Sequence, residues 1–288
     1  MDFIELLKAV LFGIVEGITE WLPVSSTGHI ILLNDFVPIS ANIYDLFEII
    51  IQLGAILAVL VLFFHKLNPF SPKKDTLQKK NTWSLWFKVI VAVLPSAVIG
   101  LVVDEPLDKF LRGTAVLGTD LNVVVVAAAL ILYGVAFILV EKMNEKKTPR
   151  ITDVNTIDYK TALLIGAFQC LSIIPGTSRS GATILGAILL GVSRSAGAEF
   201  SFFLAIPTML GASLLKVASY AKDIADGEAL MPTTTETGVL IVGFVVSFLV
   251  SLLVIKALMS FVRKHSFASF GVYRIALGVL LFGYYCLV

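Results

Sequence analysis

The sequence predicts an all-α integral membrane protein built as an inverted-topology repeat, each half a re-entrant helical hairpin followed by three transmembrane helices. Three observations carry this reading. First, 57% of the 288 residues are hydrophobic and only 15% are charged, whereas a soluble domain carries about 25% charged residues. Second, two stretches are apolar enough for a bilayer yet are interrupted by proline and polar groups: residues 13–29, GIVEGITEWLPVSSTGH, and residues 166–183, GAFQCLSIIPGTSRSGAT. Read as diverged copies, Gly13 matches Gly166, Glu16 matches Gln169, Pro23 matches Pro175 and Ser26 matches Ser178. Third, the basic loops fall on one side of the membrane only if both interrupted stretches return to the side they came from.

The elements follow in order. Residues 3–34 form the first interrupted segment: neither half reaches the roughly 20 apolar residues of a clean span, and broken backbone at membrane depth is tolerated only inside protein or along a cavity. A strong span covers 44–64, with Glu48 and Gln52 inside it. The loop at 65–83 is basic, with Lys66, Lys73, Lys74, Lys79 and Lys80. A second span, 84–103, contains Pro95, where a kink is expected. The loop at 104–116 holds Asp104, Glu105, Asp108, Lys109 and Arg112, and a third span covers 117–140. After a polar loop with Lys142, Lys146, Lys147, Arg150 and Lys160 comes the second interrupted segment, 161–191, broken at Pro175-Gly176. Spans at 199–219, 237–261 and 270–287 complete the chain; the loop after the first of these is acidic, with Asp223, Asp226, Glu228 and Glu236, and Arg263 and Lys264 follow the second.

Cytoplasmic loops carry the excess of Lys and Arg. With 65–83 inside, alternation puts 104–116 outside, 141–160 inside, 220–236 outside and 262–269 inside, so every basic loop is cytoplasmic, the acidic loop external and both termini outside. Three spans per half is an odd number, so the second half (about 155–288) is inverted relative to the first (about 1–145), and the two hairpin tips can meet near the midplane of one polytopic domain. No basic stripe tracks a nucleic-acid backbone. Cys170 and Cys286 lie in apolar runs and read as small buried hydrophobes rather than a disulfide or metal framework. The N-terminal MDFIELLKAV lacks a basic n-region and a small-residue cleavage site, so no cleaved signal peptide is expected.

The interrupted segments hold the chemistry. Glu16 and Glu20, four apart, share a helix face. A carboxylate at bilayer depth costs at least ~2.5–3.5 kcal/mol, and the pair reads either as metal ligation or base catalysis, or as two groups solvated at the outer mouth. Ser25, Ser26, Thr27 and Gly28 look like a helix start, which caps free N–H groups and offers an anion site. A serine there is a nucleophile only with a base within reach. His29, three residues after Ser26, could be that base, an acid or a phosphoryl acceptor, or a satisfied buried histidine. The second start, Gly176, Thr177, Ser178, Arg179, Ser180, Gly181 and Thr183, adds one arginine, whose fork matches phosphate oxygens. That arginine meets an anionic ligand, pairs with Glu16 or Glu20, or does both. Glu48, Gln52, Arg194, Glu199, Arg274, His65 and His265 are weaker candidates, with Arg274 expected to face the core. The constellation suits phosphoryl or diphosphate chemistry, in which positioning and electrostatics dominate.

At these residues the chain resembles the undecaprenyl-diphosphate phosphatase family of bacterial membrane proteins, the bacitracin-resistance type. VEGITEWLPVSSTGH, FEIIIQLGAILAV, PGTSRSGATI, and GVSR followed by AEFSFFLAIP carry the likeness over the whole chain. The resemblance implies a multi-pass protein of the bacterial inner membrane that removes the terminal phosphate of a C55 polyprenyl diphosphate, regenerating the lipid carrier for peptidoglycan and conferring resistance to bacitracin. It implies a divalent cation, Mg²⁺ or Ca²⁺, with Glu16 and Glu20 as metal ligands or base, Ser26 as nucleophile, His29 as acid/base and Arg179 as phosphate clamp. Ser25, Thr27, Gly176, Ser178, Ser180 and Thr183 would line the substrate pocket. The partners expected are the lipid substrate and membrane lipid, with a homodimer among the assemblies open to it. The topology opens the first hairpin to the outer face. A lipid-phosphate flippase or small-anion transporter on the same inverted-repeat plan is the competing class; it needs no nucleophile, so it would tolerate Ser26→Ala.

Overall fold

The structure is a computed structural model and describes residues 2–112, 115–116, 119–227 and 229–287. Glu228, and the side chains of Asp104, Glu105, Asp108, Arg112 and Cys286, lie outside the described residues. In chain order the helices are α1 (Phe3–Thr19), α2 (Ser26–Phe36), α3 (Tyr44–Leu62), α4 (Phe64–Leu67), α5 (Thr76–Arg112), α6 (Leu121–Asn144), α7 (Tyr159–Gln169), α8 (Arg179–Leu189), α9 (Arg194–Ala225), α10 (Thr234–Phe261) and α11 (Ala268–Leu287). Six of these, α3, α5, α6, α9, α10 and α11, are long and apolar enough to cross a membrane. They occupy the six stretches where hydropathy predicts spans.

Helix ends differ from the hydropathic ones. α5 starts at Thr76 rather than 84 and continues through Pro95 and Pro106 to Arg112, so much of the expected 104–116 loop is helix. Its start follows from a reciprocal cap: the Gln78 N–H donates to Asp75 Oδ1 (2.7 Å) and the Asp75 N–H to Gln78 Oε1 (3.1 Å). Such a cap nucleates a helix in polar sequence, beyond the reach of a hydropathy window. α9 likewise begins at Arg194, where Ser193 caps the Ala196 N–H, and α10 at a Thr233–Glu236 capping box. Hydropathy marks the lipid-facing part of a helix; the caps set its length.

Packing joins the halves rather than separating them. α1 packs on α10 and α7 on α5; α3 packs on α10 and α9 on α5; α3 meets α9, and α6 lies along α11. Small residues allow these close approaches, as between membrane helices generally. A Cβ on Gly13 would lie 2.8 Å from the Gly243 carbonyl oxygen of α10, and one on Gly134 2.7 Å from that of Gly271 in α11. A Cβ on Gly166 would overlap the Ala92 carbonyl of α5 outright. Replacing Gly166 with Ala is therefore expected to destabilise the protein by about 1–3 kcal/mol, the usual range for overpacking. A lowered thermal midpoint in detergent, with a larger drop for Gly166→Val, would register this; an unchanged midpoint would mean that α5 and α7 do not pack so closely.

Two ends of the bundle are chemically distinct. At one, Lys66 pairs with Glu199 (2.7 Å) and the Lys88 ammonium donates to the Asn155 carbonyl (2.9 Å). There the Arg194 Nε donates to both Glu141 oxygens (2.9 and 3.0 Å), and Arg150, Lys147 and Arg263 share a pocket with them. The Arg150 N–H donates to the Gly191 carbonyl (2.8 Å), closing the start of α7 on the end of α8. At the other end, Lys8 donates to the Pro38 carbonyl (2.9 Å), closing the start of α1 on the end of α2, and Ser40 donates to Glu236 (2.8 Å).

Candidate active site

The two helical breaks meet in the interior, and each is closed by a serine in an unusual conformation. Ser25 and Ser178 both have φ 72°, and among the described residues they are the non-glycine residues with positive φ. Ser25 Oγ accepts the Gly28 N–H (3.4 Å) and Ser178 Oγ the Gly181 N–H (3.1 Å), so each caps the helix that follows. A residue held there costs about 1–3 kcal/mol and persists only where its surroundings impose it. These caps pair the two stretches differently from residue type. Ser178 is the counterpart of Ser25, not of Ser26, and the spacing that pairs Gly13 with Gly166 runs on without a gap. It pairs Pro23 with Gly176 rather than Pro175, and Ser26 with Arg179. Identity of residue type suggested the other register; backbone conformation is the stricter criterion, because a cap has one place relative to its helix.

Glu20 joins the breaks. It closes the C-terminus of α1, its N–H bonded to the Glu16 carbonyl (3.0 Å). One carboxylate oxygen, Oε2, accepts the Ser26 hydroxyl (2.7 Å); the other, Oε1, accepts Arg179 Nη2 (2.7 Å). The Glu20 and Arg179 side chains are about one-tenth exposed. Arg179 Nη1 also donates to the Ser201 carbonyl (3.0 Å), and the guanidinium lies over the Trp21 ring, 5.8 Å from its centroid. So Ser26 has a carboxylate within hydrogen-bond reach, and it is that of Glu20. The helical spacing of three does not bond His29 to Ser26: the His29 ring bonds the Ser25 carbonyl through Nδ1 (2.7 Å) and the Tyr273 hydroxyl through Nε2 (2.6 Å). A carbonyl only accepts, so Nδ1 carries the proton and Nε2 of the neutral ring accepts from tyrosine.

The remaining residues divide by what they touch. Glu16 is buried, and its Oε1 has no hydrogen-bond partner. Thr27 is exposed at the start of α2. Ser180 donates towards the Glu20 and Leu22 carbonyls (3.2 Å each), tying the second break to the first. Thr183 bonds Ser201 (2.7 Å) and the Arg179 carbonyl (2.9 Å). Gly176, at φ 86°, packs its backbone on Val126, where a Cβ would lie 2.6 Å from the carbonyl oxygen. The hydroxyls of Ser180 and Thr183 thus hold the loop in shape, while Ser26, Thr27 and Arg179 stand at the helix N-termini, where the first N–H groups have no intrahelical partner.

A family model described as bacitracin resistance protein BacA matches residues 9–280. The chain belongs to the BacA family. Among its relatives, the undecaprenyl-diphosphatase of Lactiplantibacillus plantarum is 52% identical over 99% of both chains. That of Enterococcus faecalis is 50% identical over 99% of both. That of Streptococcus thermophilus is 52% identical over 98% of this chain and 93% of its own.

In this BacA-family chain, Trp21, Ser201 and Tyr273 touch the site residues without having been singled out in the sequence. Nothing in their spacing marks them: Ser201 and Tyr273 reach the site from α9 and α11, and Trp21, next to Glu20, meets Arg179 of the other break. Arg274 did carry a signal, a cation early in an apolar span, and it is fully buried between the breaks. Of the flanking candidates, Arg194 and Glu199 form ion pairs at the basic end, and His65 and His265 are exposed.

Proposed function

We propose that the chain is an undecaprenyl-diphosphate phosphatase, releasing the terminal phosphate of a C55 polyprenyl diphosphate and so recycling the lipid carrier for peptidoglycan synthesis and conferring bacitracin resistance. The observation that carries the reading is Glu20 bridging Ser26 and Arg179, which sets a nucleophile, its base and a phosphate-matching fork side by side. The relatives named undecaprenyl-diphosphatase support the substrate. Glu20 takes the Ser26 proton as Oγ bonds the terminal phosphorus. The bond from that phosphorus to the bridging oxygen breaks, and polyprenyl phosphate leaves. Water then cleaves the phosphoserine to inorganic phosphate. Arg179 and the N-termini of α2 and α8 stabilise the transferring oxygens. His29, with Tyr273, is the acid/base that moves the leaving-group or water proton.

A divalent cation fits these residues. Glu16 Oε1 is a buried oxygen without a partner, and hard cations take oxygen ligands. Among the described residues no group of three or more His, Cys, Asp or Glu side chains is poised for a metal. Mg²⁺ needs no such cage, being held by one or two carboxylates with substrate phosphates. Glu16 and Glu20 would hold it, and it would neutralise charge on the diphosphate.

The architecture we propose is the inverted repeat. The contacts exchange the halves: α1 on α10 mirrors α7 on α5, α3 on α10 mirrors α9 on α5, and α3–α9 and α6–α11 are self-paired. The closures of α1 on α2 and of α7 on α8 at opposite ends support two re-entrant hairpins. Because the basic loops share one end, the positive-inside rule supports placing that end in the cytoplasm and the mouth of the first hairpin outside.

An apolar cleft of about 740 Å³, lined by Ile18, Leu22, Val24, Val254, Leu258, Phe270 and Tyr273, flanks the first break. It would receive the isoprenoid chain as the head group enters. Ala257→Trp, in its wall, is expected to reduce kcat/KM about tenfold or more on a C55 diphosphate, with little change on a C15 diphosphate. Equal losses on both would remove the cleft from substrate binding.

The reading is tested by phosphate release from a C55 diphosphate by purified protein, with Mg²⁺ and with chelator. Release that chelator abolishes and Mg²⁺ restores is expected; lipid binding without release in any metal would leave a carrier. The exchanged contact pattern is also a transporter plan, and a carrier would keep its activity in Ser26→Ala.

A further inference from the structure

Arg274 is the largest fully buried charged side chain near the breaks, and it touches both. Its Nη1 donates to the Pro23 carbonyl (3.0 Å), and its Nη2 to the carbonyls of Gly176 (2.8 Å) and Thr177 (3.0 Å). The guanidinium lies 5.7 Å from the centroid of Tyr133 on α6. Among the described residues no carboxylate pairs with it, and its Nε has no partner. A buried cation is normally paired; this one is held by three backbone oxygens from two loops some 150 residues apart in sequence. Those oxygens come just before the capping serines, Ser25 and Ser178, whose positive φ needs an external constraint. α11 supplies it from outside both hairpins, braced on α6.

We propose that Arg274 is a positioning residue that fixes the spacing between the N-termini of α2 and α8, and with it the fit of both to one diphosphate. This rests on the phosphatase reading for its consequence, not for its geometry. Only a planar fork with several donors can grip both loops at once; a lysine ammonium is a compact point charge on a flexible stem. Arg274 touches no reacting atom, and its effect passes through Pro23, Gly176 and Thr177. A displacement of about 1 Å at a reaction centre can reduce rate about 10²-fold, and misplacement weighs on the transition state more than on ground-state binding.

The test uses Arg274→Lys and Arg274→Ala in the full chain, in detergent. For Arg274→Lys the expected outcome is a kcat about 10²-fold lower, with KM changed by less than about threefold and a thermal midpoint near wild type. Spin labels at Thr27→Cys and Ile174→Cys, exposed positions beside the two breaks, with Cys170 and Cys286 replaced by alanine, read the spacing directly. One narrow distance is expected with arginine at 274 and a broadened one in both variants. A folded Arg274→Lys protein with wild-type kcat would overturn the proposal. So would an unbroadened distance, which with lowered kcat would mean that Arg274 acts on substrate directly. If the Ala variant does not fold, the Lys variant decides. If wild type releases no phosphate, the phosphatase reading fails, and the spin-label distances alone judge the clamp.

Discussion

Arg179→Ala is expected to lower kcat for phosphate release by about 10³-fold, the scale seen when one preorganised donor to a developing oxyanion is removed. Two losses combine. The fork would no longer meet the phosphoryl oxygens, and Glu20, with a side chain only 10% exposed, would be left without the cation that balances it. Breaking one partner of a buried pair is more damaging than never having had the pair. Arg179→Lys keeps the charge but not the fork, and recovers only part of the rate. Steady-state kinetics on a C55 diphosphate check this. A lysine variant at wild-type rate would mean that position 179 needs only a point charge and that the fork has no role.

Glu20→Gln and Ser26→Ala are each expected to reduce kcat by about 10²–10⁴-fold, the usual contribution of a positioned base or the group it activates. The double variant falls no further than the worse single one, because a nucleophile and its base act as a unit and their losses do not add. The 2.7 Å hydrogen bond between them is the basis for this. Additive losses would separate the two residues and move the nucleophile elsewhere, with His29 the first candidate. Trapping of phosphate on Ser26 in a slowed variant gives an independent reading of the same step.

Much of this molecule is legible one residue at a time. The six spans follow from runs of apolar side chains, because transfer to lipid is a nearly additive property of the local sequence. The two interrupted stretches stand out for the converse reason: Glu16, Glu20, His29 and Arg179 are residue types that a bilayer disfavours. Helix ends were less legible. Asp75 with Gln78 and Ser193 with Ala196 extend helices through polar sequence that a hydropathy count assigns to loops.

Residue type and backbone geometry pair the two breaks differently. Pro23 and Pro175 look equivalent by type, but equivalence in a fold belongs to backbone geometry, and the matched φ of Ser25 and Ser178 determines it. Partner choice was hidden for a related reason. Spacing of three on a helix points Ser26 at His29, yet Glu20, six residues back across a non-helical turn, is the residue that accepts its hydroxyl. Periodicity predicts neighbours only within one regular element, and this bond crosses the end of one.

Residue chemistry and hydropathy, both local, therefore establish from the chain alone that this is a membrane protein with charged and hydroxyl groups at two helical breaks. Which groups face one another depends on the crossing of elements far apart in sequence. Glu20 meets Arg179 across 159 residues, and Arg274 reaches Pro23 across 251. Such contacts are created when α1 and α7 settle against α10 and α5 and α11 closes over both breaks, and sequence spacing alone does not encode them.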